Sequence, residues 1–316
     1  MSWHIVSQGW RVDSPHNRDL HRFTGPTGSF TYRPPSGYTG YEVQVQYPWA
    51  VMLDQDDGEK RRDRITVMDL RTHKTRRLRG DRDTPPPTIL GSFVLSDGRI
   101  AYASGNPDGR HKFCLAQVRL KDLSGRDVTC AKRRRGFDDL SINGGQLGAD
   151  SFKASRGPKP SCRSLVYTDP DGRVRRLRAA AKCKGWGVVP FAEGSVFWTQ
   201  VMKNVESYHG DAYARTAEGD IRSLGLVYSG FSVPCGQHVY FVRDNDSDTR
   251  SDELMRWSPD DGLEKVWTPD VKGHGDIMIP PSCGGTNITI GALGGDYGKD
   301  RSLVTARIAP PVESES

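Results

Sequence analysis

The run Asp244-Asn245-Asp246-Ser247-Asp248, followed by Asp252 and Glu253, puts carboxylates at alternate positions of one loop. Alternating acidic oxygens are what a hard cation collects, so Asp244, Asp246 and Asp248 are the candidate metal ligands and Ca²⁺ is the candidate cofactor. An EF-hand loop would carry Gly where Thr249 stands, so that motif is excluded. A second acidic loop, Asp54-Gln55-Asp56-Asp57-Gly58, occupies the equivalent place in another repeat. The eight histidines form neither His-x-His nor His-Glu-x-x-His, which argues against a metallohydrolase built from neighbouring ligands. The glycine-rich stretch from Gly291 to Gly298 is followed by no helical pattern and reads as strand and turn, not as a phosphate cradle. No catalytic residues are assigned.

Aromatic and basic residues form the second group. Arg133, Arg135, Phe137, Trp186, Tyr208, His209, Tyr228, His274 and Tyr297 fall in loops expected to share one face, and they are the candidate ligand-binding residues. Rings beside guanidinium groups suit sugar stacking, anionic polymers or a protein hot spot. The Arg-rich runs Arg61 to Arg64, Arg76 to Arg79, Lys132 to Arg135 and Arg173 to Arg178 can grip carboxylate or phosphate two-pronged. The net charge of +6 is a modest excess over 316 residues, so a nucleic-acid partner is not expected. No apolar run approaches the roughly 18 residues of a membrane helix, so no membrane insertion is expected.

The six cysteines show no Cys-x-x-Cys and no Cys/His cluster, which favours disulfides over zinc. Cys114 opens the run CLAQVRL and Cys130 closes DVTC after a turn, so the two fall opposite each other across a hairpin. Cys162 and Cys183 flank RSLVYTDPDGRVRRLR in the same manner, and Cys235 and Cys283 stand in the matching contexts Val-Pro-Cys-Gly and Pro-Ser-Cys-Gly. The expected pairs are Cys114–Cys130, Cys162–Cys183 and Cys235–Cys283. Three disulfides point to an oxidising compartment, secreted or facing the cell envelope. The first residues MSWHIVSQGW carry no basic and apolar leader, so export implies a leader removed from a precursor.

The elements that must position these residues are strands. Apolar runs of four to eight residues alternate with Asp-Gly, Pro-Asp-Gly and Gly-Gly turns, and helical periodicity is nearly absent. The runs recur as four-strand units whose second strands contain Val51, Ala101, Leu147, Phe197, Tyr240 and Ile290, about every 48 residues, which is blade-sized. The fold class expected is all-β, a six-bladed β-propeller of four-stranded antiparallel blades. The last unit lacks an outer strand, so WHIVSQG or SFTYRP from the N-terminus is expected to complete it and close the ring. Residues 1–37 are then a closing strand and connecting segment, 38–309 the propeller and 310–316 a disordered tail.

The turns SPDDG (Ser258 to Gly262), DPDG (Asp169 to Gly172) and NPDG (Asn106 to Gly109) resemble those of TolB-like propeller repeats, and ITVMDLRTHKTRRL (65–78) resembles one of their outer hairpins. That resemblance covers the chain from about Tyr41 onward and implies an exported propeller that binds protein partners without catalysis. Propellers of prolyl oligopeptidases look similar, but those accompany a hydrolase domain with a Gly-x-Ser-x-Gly elbow, which is not in this sequence. The run Ser258 to Trp267 is similar to a sialidase Asp box, a structural turn, with its Trp two residues late. The functional expectation is an exported non-catalytic recognition propeller that binds a protein or envelope polymer through its loop face, as a monomer or within a hetero-complex. The alternative is an extracellular lectin or glycan-cleaving propeller.

Overall fold

The computed structural model describes residues 3–14, 20–58, 63–78, 93–104, 113–131, 135–153, 162–201, 209–244, 251–270, 275–285, 287–294 and 302–308. Every regular element among them is a strand. The first sheet contains β1 (Trp3–Ser7), β2 (Trp10–Ser14), β3 (His21–Gly25) and β4 (Gly28–Tyr32), in that order. The second contains β5 (Tyr38–Gln46), β6 (Trp49–Asp56), β7 (Arg64–Asp69) and β8 (Lys74–Arg77); the third β9 (Phe93–Ser96), β10 (Arg99–Ser104), β11 (Cys114–Arg119) and β12 (Gly125–Cys130). The fourth contains β13 (Arg135–Asn143), β14 (Gln146–Lys153), β15 (Cys162–Thr168) and β16 (Val174–Arg176). Then come β17 (Gly185–Pro190), β18 (Val196–Val201), β19 (His209–Arg215), β20 (Ile221–Cys235), β21 (His238–Arg243), β22 (Glu253–Ser258) and β23 (Gly262–Trp267) in one seven-stranded sheet. The last sheet has β24 (Gly275–Cys283), β25 (Ile288–Gly294) and β26 (Ser302–Ile308). All pairings are antiparallel between consecutive strands.

The long strand β20 explains the seven-stranded sheet. Its first half pairs with β19 and its last four residues with β21, and the register breaks between Val227 and Ser232. Gly225 and Gly230 take positive φ values of 99° and 82° around that break, where the chain bends out of one four-stranded unit and into the next.

The core is a series of layers between successive sheets. Ala50 and Met52 of β6 face the first sheet with Trp10 and Phe23, while Val51 and Leu53 face the third with Ile100 and Tyr102. On β21, Val239 and Phe241 pack with Phe197 and Trp257, and Tyr240 and Val242 pack with Ile277 and Ile290. Successive side chains of a strand point to opposite faces, and here both faces are covered, so the second strands read as continuous apolar runs. β1 touches β5 on one side and β24 and β25 on the other, which brings the first and last sheets together.

One feature differs from expectation. The runs WHIVS and SFTY do not add a strand to the last sheet. They are β1 and β4 of a sheet of their own, turned at Gly9 (φ 82°) and anchored by Trp10, Val12 and Phe23 in the layer against the second sheet. β26 therefore stands as the last strand of the final sheet among the described residues. The tail 310–316 lies outside the described residues.

All three expected disulfides are present: Cys114–Cys130, Cys162–Cys183 and Cys235–Cys283. Cys114 and Cys130 are direct cross-strand partners of β11 and β12. The third pair ties the end of β20 to the end of β24, across two sheets.

Candidate functional site

A polar cluster is built where β13, β14 and β15 of the fourth sheet meet β17. Asp150 on β14 is fully buried, with 0% exposure. Its Oδ1 accepts the Gly187 backbone N–H at 3.0 Å, and its Oδ2 accepts from Arg163 Nη1 at 3.1 Å. Arg163, on β15, also reaches Asp138 Oδ2 at 3.4 Å through Nη2, and its guanidinium lies 4.2 Å from the centroid of the Trp186 ring. One cation is thus held by two carboxyl groups and stacked on an indole, an arrangement that fixes a planar guanidinium in place.

Asp139 completes the group. Its backbone has φ 47°, at the irregularity in the β13–β14 register between Asp138 and Ser141. Its Oδ2 is enclosed and accepts no hydrogen bond, and a Cβ on Gly187 would lie 3.1 Å from that oxygen. Gly187 has φ 66°, so both its conformation and the close approach favour glycine. Burial, and then the neighbouring Asp138, push Asp139 up to about 6, with Arg163 opposing. Burial first, and then Asp139, push Asp150 well above the usual carboxylate range against the pull of Arg163 and the Gly187 N–H.

Trp186 connects this cluster to the next unit. Its carbonyl accepts the Thr199 hydroxyl, and its indole nitrogen lies 3.0 Å from where a Cβ on Gly230 would stand. On either side of Gly230, Tyr228 and Phe231 have ring centroids 5.8 Å apart, and Tyr228 meets the His209 ring at 5.3 Å. His209 Nδ1 contacts the Asp244 carboxylate. The result, among the described residues, is a surface that is acidic and aromatic, with the Arg163 guanidinium engaged by carboxyls.

The nine expected ligand-binding residues separate into three groups. Trp186, His209 and Tyr228 come together as described. Arg135 is exposed at the start of β13, whereas Phe137 is buried in the layer with Ala101, Leu115 and Leu147. Arg133, Tyr208, His274 and Tyr297 lie outside the described residues, as do Asp246 and Asp248 of the expected metal loop. Asp244 is buried against His209, and Asp252 is spent on the Ile277 N–H at 2.8 Å.

Asp138, Asp139, Asp150, Arg163 and Gly187 were not singled out as functional residues by sequence reasoning. Their signal was present: aspartates inside the strand runs FDDLSIN and QLGADSF are anomalous, because a buried acid needs a partner. The Asp-box-like turn is structural, as expected. Asp261 accepts from Ser258 Oγ at 3.1 Å and contacts His238 Nε2 at 2.7 Å.

No protein-family model matches the chain, and no curated protein matches it. Solved structures do. The β-propeller domain of the Trilobed protease from Pyrococcus furiosus matches with a TM-score of 0.62 at 10% identity, over 98% of this chain and 97% of that one. A prolyl endopeptidase matches with a TM-score of 0.60 at 11% identity, over 96% of this chain and 46% of its own length. An oligogalacturonate lyase in complex with manganese matches with a TM-score of 0.51 at 10% identity, over 95% and 85%. At such identities the likeness establishes the fold, an all-β propeller. It corrects the functional expectation: the propellers this chain is similar to belong to peptidases and a lyase, and none of these matches supports a non-catalytic recognition module.

Proposed function

We propose that the chain works within a peptide-hydrolysing enzyme, as the propeller that holds the cationic amino end of a peptide substrate at Asp138, Asp139 and Trp186. The observation that carries this reading is Asp139, a carboxyl set beside a second, half-exposed carboxylate and an indole, with an enclosed oxygen that accepts no hydrogen bond. An ammonium group supplies the donors and the charge that such a carboxylate lacks, and an indole face adds cation–π attraction. His209 and Tyr228 extend the surface for the residues that follow.

The likeness to propellers of a trilobed protease and a prolyl endopeptidase supports placing the chain in a hydrolase. The bond-breaking groups then belong to another domain or to a partner in a hetero-complex, and this chain supplies position and selectivity. In the same reading the ring has seven blades, supported by the four-stranded N-terminal sheet, the two units joined through β20 and the contact of β1 with β24 and β25. The three disulfides support an exported protein that works in an oxidising setting.

The test is a calorimetric titration with short peptides bearing a free α-amino group and with their N-acetylated counterparts. The free amine is expected to bind at least about tenfold more tightly, a gap of about 1.4 kcal/mol, and Asp139→Asn to remove the difference. Equal binding of the two peptides, or no binding of either, contradicts the proposal.

A further inference from the structure

The sequence singles out a basic run, Arg76 to Arg79, that the amino-end site does not use. Its described part lies at the opposite ends of the strands from Asp139 and Trp186, where the turn between β7 and β8 meets the turn between β11 and β12. An open groove of about 900 Å³ is formed there, lined by Trp49, Arg71, His73, Lys74, Arg76 and Lys121 among others. Asp69 is the one carboxylate in its lining among the described residues. Arg71, Lys74, Arg76 and Lys121 against Asp69 leave a net positive charge over this part of the surface.

The groove is prebuilt. Arg76 donates to the Leu120 carbonyl and, at 3.1 Å, to the Lys121 carbonyl, which fastens the two turns together. The Trp49 ring forms an apolar floor engaged by the guanidinium groups of Arg71 at 6.0 Å and Arg76 at 5.7 Å from its centroid. Arg71 grips Asp69 two-pronged, Nε to Oδ1 at 3.0 Å and Nη2 to Oδ2 at 2.7 Å, and this hydrogen bonding holds the Asp69 carboxyl below its usual range. A carboxylate is therefore already bound in the groove in the planar fork geometry that guanidinium favours. Lys74 and Lys121 are exposed along the same surface.

We infer that this groove binds an acidic peptide segment of a partner protein, one in which Glu or Asp side chains alternate with apolar residues. The alternation follows from the lining: carboxylates meet Lys74 and Lys121, whereas the Arg71 fork is taken by Asp69, and apolar side chains meet Pro48 and Trp49. An inorganic polyanion has nothing to place on that floor. The inference does not rest on the amino-end site, which uses other residues at the other ends of the strands.

The experiment uses the full chain and three probes: a short labelled peptide alternating Glu with Leu, its Gln-for-Glu counterpart and inorganic polyphosphate. Fluorescence anisotropy at low and physiological salt follows binding, and Lys74→Glu/Lys121→Glu is the comparison protein, its thermal melt confirming that it folds. The Glu peptide is expected to bind, to weaken with salt, to perturb tryptophan emission and to lose roughly tenfold or more in affinity in the double variant. Asp139→Asn leaves this binding unchanged, which separates failure of this inference from failure of the amino-end site. Absence of binding by the Glu peptide, equal binding by the Gln peptide, an unaltered affinity in the double variant, or binding of polyphosphate without the peptide overturns the inference.

Discussion

The Asp150 carboxyl on β14 accepts the backbone N–H of Gly187 on β17 at 3.0 Å, a hydrogen bond from the second strand of one sheet to the first strand of the next. It crosses the layer where Leu165, Val188 and Trp198 pack. A buried acid thus fixes the relative height of two sheets that apolar contact alone would leave free to slide. It also sets Trp186, one residue before Gly187, over the Arg163 guanidinium.

Gly187→Ala is expected to strain this joint twice. The residue sits at φ 66°, where a side chain costs about 1–2 kcal/mol, and the new Cβ would lie 3.1 Å from Asp139 Oδ2. Urea unfolding should show a loss of about that size or more. A stability equal to that of the parent would mean that the turn relaxes and that Asp139 is not pressed against it.

Thermal stability is expected to be higher near about pH 5 than near about pH 7.5. Burial raises Glu42 to about 7 and Asp54 and Asp139 to about 6, from ordinary values of 4.5 and 3.8. A carboxyl with a raised folded value binds its proton more tightly folded than unfolded. Its contribution to stability is present in full below the unfolded value and is lost as pH rises through the folded one. His21 acts in the opposite sense: burial lowers it from 6.5 to about 4, so its charging disfavours the fold as pH falls through that window. Three carboxyls outweigh one imidazole. Melting curves across the range check the sign, and Asp54→Asn or Asp139→Asn should narrow the difference; a melting point that climbs steadily with pH would show that His21 dominates.

Removing the Cys235–Cys283 bridge by Cys→Ala at both positions is expected to cost more than removing Cys114–Cys130 in the same way. The first closes 48 residues and the second 16. In the chain-entropy account this places the losses at roughly 4 and 3 kcal/mol respectively. Chemical denaturation of the two variants measures the order, and a larger loss for the shorter loop would show that native-state packing around Cys114 governs the effect.

Much of the fold was legible in the sequence because both faces of the second strands are buried. PWAVMLDQ, RIAYAS and HVYFVRD stand out as apolar runs, and the turns between them carry Asp-Gly or Gly-Gly. The cysteine pairs were legible for a related reason: Cys114 and Cys130 end two strands joined by one short turn, so antiparallel register brings them opposite. The first sheet was not. Its strands are five residues each, and β4 buries none of its residues fully, so WHIVSQG and SFTYRP read as single runs able to close the last unit, and not as two strands of one sheet, until the packing of Trp10 and Phe23 against β6 is seen. The polar cluster was missed for a different reason. Asp139, Asp150 and Arg163 come from three consecutive strands of one sheet, but the Gly187 N–H and the Trp186 ring that complete the cluster come from β17 of the next, a contact that no local spacing encodes.

The most direct measurement of the central claim is a carbon-detected NMR titration of protein labelled at the aspartate carboxyls, with the Asp139 signal assigned by its loss in Asp139→Asn. Addition of a short peptide with a free α-amino group should shift the Asp139 and Asp138 signals and lower the pH at which Asp139 titrates from its free value of about 6, because a bound ammonium favours the carboxylate. The N-acetylated peptide should leave both signals in place. Unshifted Asp139 and Asp138 signals at saturating free-amine peptide, or identical shifts with the acetylated one, would contradict the assignment of this cluster as an amino-end site.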